Sequence, residues 1–236
     1  ICLPLLIMEF GLGQKMQAGA VKAYSKIHPK LSGVGFAAIL CGGMVTCYYA
    51  VVMAWTVLYS KHATTLAWGN DPKTFFFKNV LQLSESVNTM GNFVLPILAT
   101  LVLSWVLIYF CIWKGVVSVG KVVTFTMPFP LIILALLAIR GSFLEGALTG
   151  IIFYVKPNFS AILDPEVWSA AMSQIFYTLT LGFGVMISYA SFRDTNSDIA
   201  KSALITAILN SAISLLAGFA VFTTLGYMSV KSGVPI

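Results

Sequence analysis

Between Lys201 and Lys231 the chain carries no charged side chain, and the stretch from Ser202 to Tyr227 is almost wholly apolar. About 20 residues of that kind, at about 1.5 Å rise each, match a helix crossing the roughly 30 Å hydrocarbon layer of a bilayer. The pattern recurs from Val34 to Ser60, Phe93 to Trp113, Val122 to Ile139 and Trp168 to Phe192, with a partial run from Ile1 to Leu12. None alternates strictly as barrel strands do, so each is expected to be a helix. Of the 236 residues, 58% are apolar and 9% charged, against about 25% charged in a soluble domain. So few charges exclude a water-facing surface and disorder alike. The expected fold is all-α: a polytopic transmembrane helix bundle, one partial domain over residues 1–236.

The charges show how such a bundle would sit. Fourteen Lys and Arg against eight Asp and Glu give a net charge of +6, but the basic residues form no patch that a nucleic acid would need. They fall in alternate loops. One set is Lys15, Lys22, Lys26, Lys30, Lys114, Lys121, Arg193 and Lys201; the other is Lys61, Lys73, Lys78, Arg140, Lys156 and Lys231. The first occupies much shorter loops, so its density places it in the cytoplasm and residues 61–92 and 140–167 outside. Within the second outer loop, Gly141 to Phe153 is expected to form a short surface helix before Pro157 and Asp164-Pro165 break the chain. Asn158-Phe159-Ser160 matches a glycosylation sequon, a pattern that chance also explains. Cys2, Cys41, Cys47 and Cys111 all lie in apolar runs without a Cys-x-x-Cys pair, which reads as buried free thiols. Trp55, Trp105, Trp113 and Trp168 read as interface anchors. The chain starts at Ile1 inside an apolar run, without methionine or signal peptide, as an interior piece of a longer protein would.

Some residues exceed what a passive bundle needs. Gln174, Thr178 and Thr180 share one span with Gly182 and Gly184. The glycines alone suit close helix packing. Clustered with threonines at bilayer depth, they also suggest a helix that unwinds near 179–185 and frees backbone groups to bind a ligand. In the next span Thr206, Asn210, Ser214 and Gly218 recur every fourth residue and form one polar stripe. The Asn210 amide serves equally as interhelical glue or as a hard oxygen ligand for sodium beside Thr178. A third stripe joins Gly35, Ala38, Gly42, Val45, Tyr49 and Val52; its phenol needs a partner when buried, supplied by packing or by a carboxylate. Glu9 is a carboxylate in an apolar run, expensive enough there to imply a role, and the role expected is to accept backbone amides from a neighbouring helix.

Four segments also carry a family likeness: PLLIMEFGLGQ at the start, CYYAVVMAW from Cys47 to Trp55, VWSAAMSQIFYTLTLGFGVMISYAS from Val167 to Ser191, and ILNSAISLLAGFAVFTTLGYM from Ile208 to Met228. Together they resemble helices 2 through 7 of the neurotransmitter:sodium symporter family, whose members have the leucine-transporter fold, an inverted repeat with discontinuous helices. The resemblance implies sodium-coupled uptake of an amino acid or related amine by alternating access around a midplane site. It implies that Tyr49 bonds the substrate carboxylate and Val45 lines the pocket. Tyr177 matches an aromatic lid that is commonly phenylalanine, while Thr178, Thr180 and Phe183 match pocket-lining positions. Thr178 and Asn210 match ligands of the sodium ion that touches the substrate. Gln174, Thr178, Asn210 and Ser214 match a chloride site, and serine at 214 leans toward chloride dependence. Phe192 stands where many members have tyrosine near the cytoplasmic gate. Helix 1 and helices 8 onward have no counterpart in this sequence.

The reading that follows is a secondary transporter without enzymatic activity, with sodium and possibly chloride as its ions. Its expected partners are a small amino-acid or amine substrate and the lipid bilayer, with neither a nucleic acid nor an obligate protein partner called for. The short first outer loop without cysteines resembles prokaryotic members, hence a prokaryotic inner membrane. A receptor-like or structural bundle that keeps the fold without transporting is the alternative of a different class. No ring of carboxylates suggests a channel, and His28 and His62 lie outside the expected spans, so no intramembrane nucleophile and base come together.

Overall fold

Caps and breakers set the ends of the helices. The computed structural model describes residues 2–69, 71–84, 86, 88–89 and 91–233. Its elements in chain order are α1 (Cys2–Met16), α2 (Ala20–Ile27), α3 (Ser32–Ala63), α4 (Pro72–Thr74) running into a π-helical stretch Phe75–Val80, α5 (Leu95–Ile112), α6 (Val116–Thr126), α7 (Pro128–Ser142), α8 (Ala147–Val155), α9 (Pro165–Thr178), α10 (Val185–Ala190) and α11 (Ile199–Ser232). Short 3₁₀ turns lie at Pro29–Leu31 and Phe159–Leu163. At α9, the Asp164 carboxylate accepts the Glu166 amide at 2.9 Å and Pro165 takes the first helical position, where no amide hydrogen is needed. At α11, Asp198 accepts the Lys201 amide at 3.0 Å, and Gly233, at φ +69°, ends the helix with its amide on the Ser229 carbonyl. Asp71 caps α4 by accepting the Thr74 amide at 3.0 Å, and its hydrogen bonds to Thr74 hold the carboxyl below its ordinary range.

Four stretches are long and apolar enough to cross a membrane among the described residues: Pro29–Ala63, Leu95–Ile112, Ser118–Ser142 and Ile199–Ser232. The fifth expected span, 168–192, does not qualify because it is two short helices, α9 and α10, separated by residues 179–184. This is the expected discontinuity. The first run continues beyond Leu12 to Met16, and Ile1, where it was expected to begin, lies outside the described residues. The span expected over 122–139 is divided at Met127, because Pro128 has no amide to continue α6 and instead opens α7.

The chain falls into two units, one of Ile1–Gly42 with Phe125–Ile236, the other of Gly43–Thr124, and α3 contributes to both. In the first, α11 packs along α8 and α7, while α1 packs on α10 and α11. Lipid is as apolar as leucine, so close backbone approach rather than water exclusion holds such helices together. Glycines make that approach possible. A Cβ on Gly150 would overlap the Phe222 carbonyl oxygen, and one on Gly13 would overlap the Ile187 carbonyl oxygen. The loop helix expected over 141–153 is therefore shifted. Gly141 stays in α7 because it faces Thr223 of α11 with no room for a side chain, and α8 starts at Ala147 and lies against α11, with Tyr154 stacked on Phe222 at 4.7 Å. Leu6 and Phe10 of α1 form a buried cluster with Leu179, Leu181, Ala190 and Ala203. In the second unit, Tyr59 of α3 stacks on Trp68 at 5.6 Å and meets Phe75 and Phe76 edge-on. The four cysteines are free, but Cys41 and Cys47 are exposed and Cys2 and Cys111 only half-buried. The expectation of buried thiols fails because apolar sequence marks lipid-facing positions as readily as the packed interior.

Candidate functional site

The break between α9 and α10 releases backbone groups. The Gly182 amide leaves the helical ladder and donates to Glu9 Oε1 at 2.8 Å, while the amides of Leu179, Thr180 and Leu181 end α9 with bonds to the carbonyls four, three and five residues back, at Ile175, Tyr177 and Phe176. From Thr178 to Phe183 the carbonyls are no longer held in a continuous helical ladder. Such groups are tolerated at membrane depth only where they are buried in protein or line a site. Three left-handed residues at alternate positions produce the break: Thr180 at φ +52°, Gly182 at +81° and Gly184 at +70°. The glycines adopt these freely, whereas left-handed backbone costs a threonine about 1–2 kcal/mol. The Thr180 hydroxyl is buried without a hydrogen-bond partner, as is Glu9 Oε2. A strained threonine with an unsatisfied hydroxyl is what a ligand-facing position would look like.

Glu9 holds the break from α1. Its side chain is buried, and it borders a cavity of about 230 Å³ with Gly182, Gly184, Tyr24 and the small residues Ala37, Ala38 and Cys41 of α3. The Tyr24 phenol, on the short loop helix α2, is held above its ordinary pKa by burial and, second, by the Glu9 carboxylate, so it stays protonated and able to donate. Gly42 brings α3 within 3.5 Å, at its missing Cβ, of the Phe183 carbonyl. The first members of the third stripe, Gly35, Ala38 and Gly42, thus line α2 and the break. Val45, Tyr49 and Val52 belong to the other unit, where Tyr49 is 56% exposed and Val45 half-buried.

Across the break, Thr178 Oγ1 donates to Asn210 Oδ1 of α11 at 3.1 Å. Two oxygens at that separation can belong to the shell of one small hard cation. The chloride positions are differently arranged. Ser214 donates to the Asn210 carbonyl at 2.9 Å, Thr178 is committed to the Asn210 side chain, and Gln174 is exposed. Tyr177 is 40% exposed and Phe183 half-buried.

Sequence reasoning missed how α10 is tethered. Gln14, buried at the end of α1, donates to the Asp194 carbonyl, to the Ser197 carbonyl at 3.0 Å and to the Ser197 hydroxyl at 2.8 Å. Gln17 donates to the Arg193 carbonyl at 2.9 Å. These bonds fasten the α10–α11 connection to α1, so the second half of the broken helix is joined to the helix that carries Glu9. Two glutamines ending an apolar run were the available signal.

The family model for the sodium:neurotransmitter symporter family matches residues 1–74 and 69–236. An uncharacterised sodium-dependent transporter of Methanocaldococcus jannaschii is 38% identical over 99% of this chain and 48% of its own length. The sodium- and chloride-dependent GABA transporter 2 of Mus musculus is 36% identical over 99% of the chain and 44% of its own length. The sodium- and chloride-dependent creatine transporter 1 of Bos taurus is 35% identical, again over 99% of the chain, and 43% of its own length. The crystal structure of MhsT in complex with L-phenylalanine superposes with a TM-score of 0.79 at 28% identity, covering 97% of this chain and 51% of that one. The chain thus spans about half the length of the curated relatives it matches. An archaeon and mammals both supply relatives, so the likeness does not single out a prokaryotic membrane.

Proposed function

Because this chain belongs to the sodium:neurotransmitter symporter family, we propose that its whole protein is a sodium-coupled symporter of an amino acid or related amine, working by alternating access in a membrane. The observation that carries this reading is the Thr178–Asn210 pair at 3.1 Å, which joins the end of α9 to mid-α11 directly beside the unwound segment. Sodium would be held by these two oxygens and by carbonyls freed at the break. By the family resemblance, the Tyr49 phenol would bond the substrate carboxylate, and Val45, Tyr177, Thr180 and Phe183 would line the substrate pocket. A cation beside that carboxylate makes each raise the other's affinity by the same factor, and this reciprocity is the coupling. Downhill entry of sodium then drives uphill entry of substrate.

Glu9 serves the break rather than the substrate, by taking the Gly182 amide that the helix no longer uses. Gln174 and Ser214 stand where a chloride site is implied, and a chloride ion there would have to displace the Ser214 hydrogen bond to Asn210. The test is uptake of a labelled amino-acid mixture into proteoliposomes containing the full-length protein. Accumulation is expected only with an inward sodium gradient, and competition with single amino acids then names the substrate. Absence of accumulation in folded protein would favour a non-transporting bundle of the same fold.

A further inference from the structure

The turn joining α5 to α6 carries polar side chains that its own backbone hydrogen bonds do not use. Lys114 and Lys121 border an open cavity of about 530 Å³ together with Ser118, Phe110, Trp113 and Val122. Gly115, at φ +70°, allows the turn, with its amide on the Ile112 carbonyl at 2.8 Å and its carbonyl receiving the Ser118 amide at 3.1 Å. On α6, Ser118, Lys121 and Val122 stand three and four residues apart, which puts them on one face. No Asp or Glu occurs between Glu85 and Glu145, so neither lysine has a carboxylate on its own helices or turn. Neither ammonium group nor the Ser118 hydroxyl has a hydrogen-bond or ion-pair partner among the described residues.

The surroundings indicate what those donors would meet. They lie directly beyond the apolar helix α5, where Trp113 stacks on Phe110 with ring centres 6.4 Å apart and both rings are largely exposed. Exposed aromatic rings at the end of a span lie at headgroup level in a bilayer. Two unpaired cations and a hydroxyl beside them form an anion-binding concavity at the depth of lipid phosphates, and basic pockets of this kind on the cytoplasmic side hold acidic headgroups. We infer that the α5–α6 turn binds the headgroup of an anionic phospholipid, its phosphate held by Lys114, Lys121 and Ser118 and its acyl chains against Phe110 and Trp113.

Native mass spectrometry of the full-length protein, released from vesicles of mixed phosphatidylcholine and phosphatidylglycerol, tests this. The expected result is retained phosphatidylglycerol in preference to phosphatidylcholine. The double variant Lys114→Gln/Lys121→Gln should lower that retention by about tenfold to thirtyfold, the effect of two cations beside an acidic lipid. The Lys114→Arg/Lys121→Arg pair should keep it, as should Lys73→Gln/Lys78→Gln in the opposite loop. If the double glutamine variant does not fold, Lys121→Gln alone should lower retention by several-fold. Unchanged phosphatidylglycerol retention in the glutamine variants would overturn the site. Displacement of the lipid by inorganic phosphate at millimolar concentration would also overturn it, by assigning the cations to a soluble anion.

Discussion

Replacing Asn210 with alanine should abolish sodium-dependent substrate binding in the full-length protein while leaving the bundle folded. The substitution removes the oxygen that Thr178 reaches at 3.1 Å across the break, and with it one of two side-chain ligands proposed for sodium. A desolvated ion that loses a partner loses about 3 kcal/mol of binding, about a hundredfold in affinity. The helix itself should not suffer, because alanine is a better helix former than asparagine, and α11 is fixed by its own cap and by the α8 contact. The check is substrate affinity at several sodium concentrations, with circular dichroism to confirm folding. An Asn210→Ala protein with the wild-type sodium dependence would remove Asn210 from the ion site.

The second large effect separates two glycines of the same break. Gly182 and Gly184 both have left-handed backbone, so alanine at either is strained by about 1–2 kcal/mol. Only Gly184 is also crowded: a Cβ there would sit 2.8 Å from the Ala20 Cβ and 3.6 Å from the Ala38 Cβ, whereas nothing lies within 4 Å at Gly182. Overpacking adds about 1–3 kcal/mol, and α2 cannot retreat easily because Ala20 and Ala23 are fully buried against Ile187. Gly184→Ala should therefore lower the thermal midpoint of the purified full-length protein about twice as far as Gly182→Ala. Equal midpoints for the two variants would mean that α2 does not press on the break as described.

Long apolar runs against a 30 Å bilayer revealed the helices, because membrane depth fixes helix length almost independently of tertiary contacts. The break after Thr178 was legible too, since two glycines among threonines at mid-span weaken a helix where no water can repair it. Which helix touches which was not legible. Gly13, Gly141 and Gly150 look like any other membrane glycine, and only the carbonyls and side chains pressed against them show that they seat α10 and α11. The sequence likewise placed a surface helix over 141–153, because Gly141 resembles a loop residue until Thr223 is seen beside it. Thr178 and Asn210 were paired by resemblance and are found hydrogen-bonded, while of the other two residues named by the same resemblance Ser214 donates to the Asn210 carbonyl and Gln174 is exposed.

If sodium and substrate meet at the broken helix, each strengthens the binding of the other. The most direct measurement is the dissociation constant of the transported amino acid, determined on the purified full-length protein over a range of sodium concentrations, alongside that of sodium over a range of amino-acid concentrations. Each ligand should tighten the other by the same factor. A substrate affinity indifferent to sodium would contradict it.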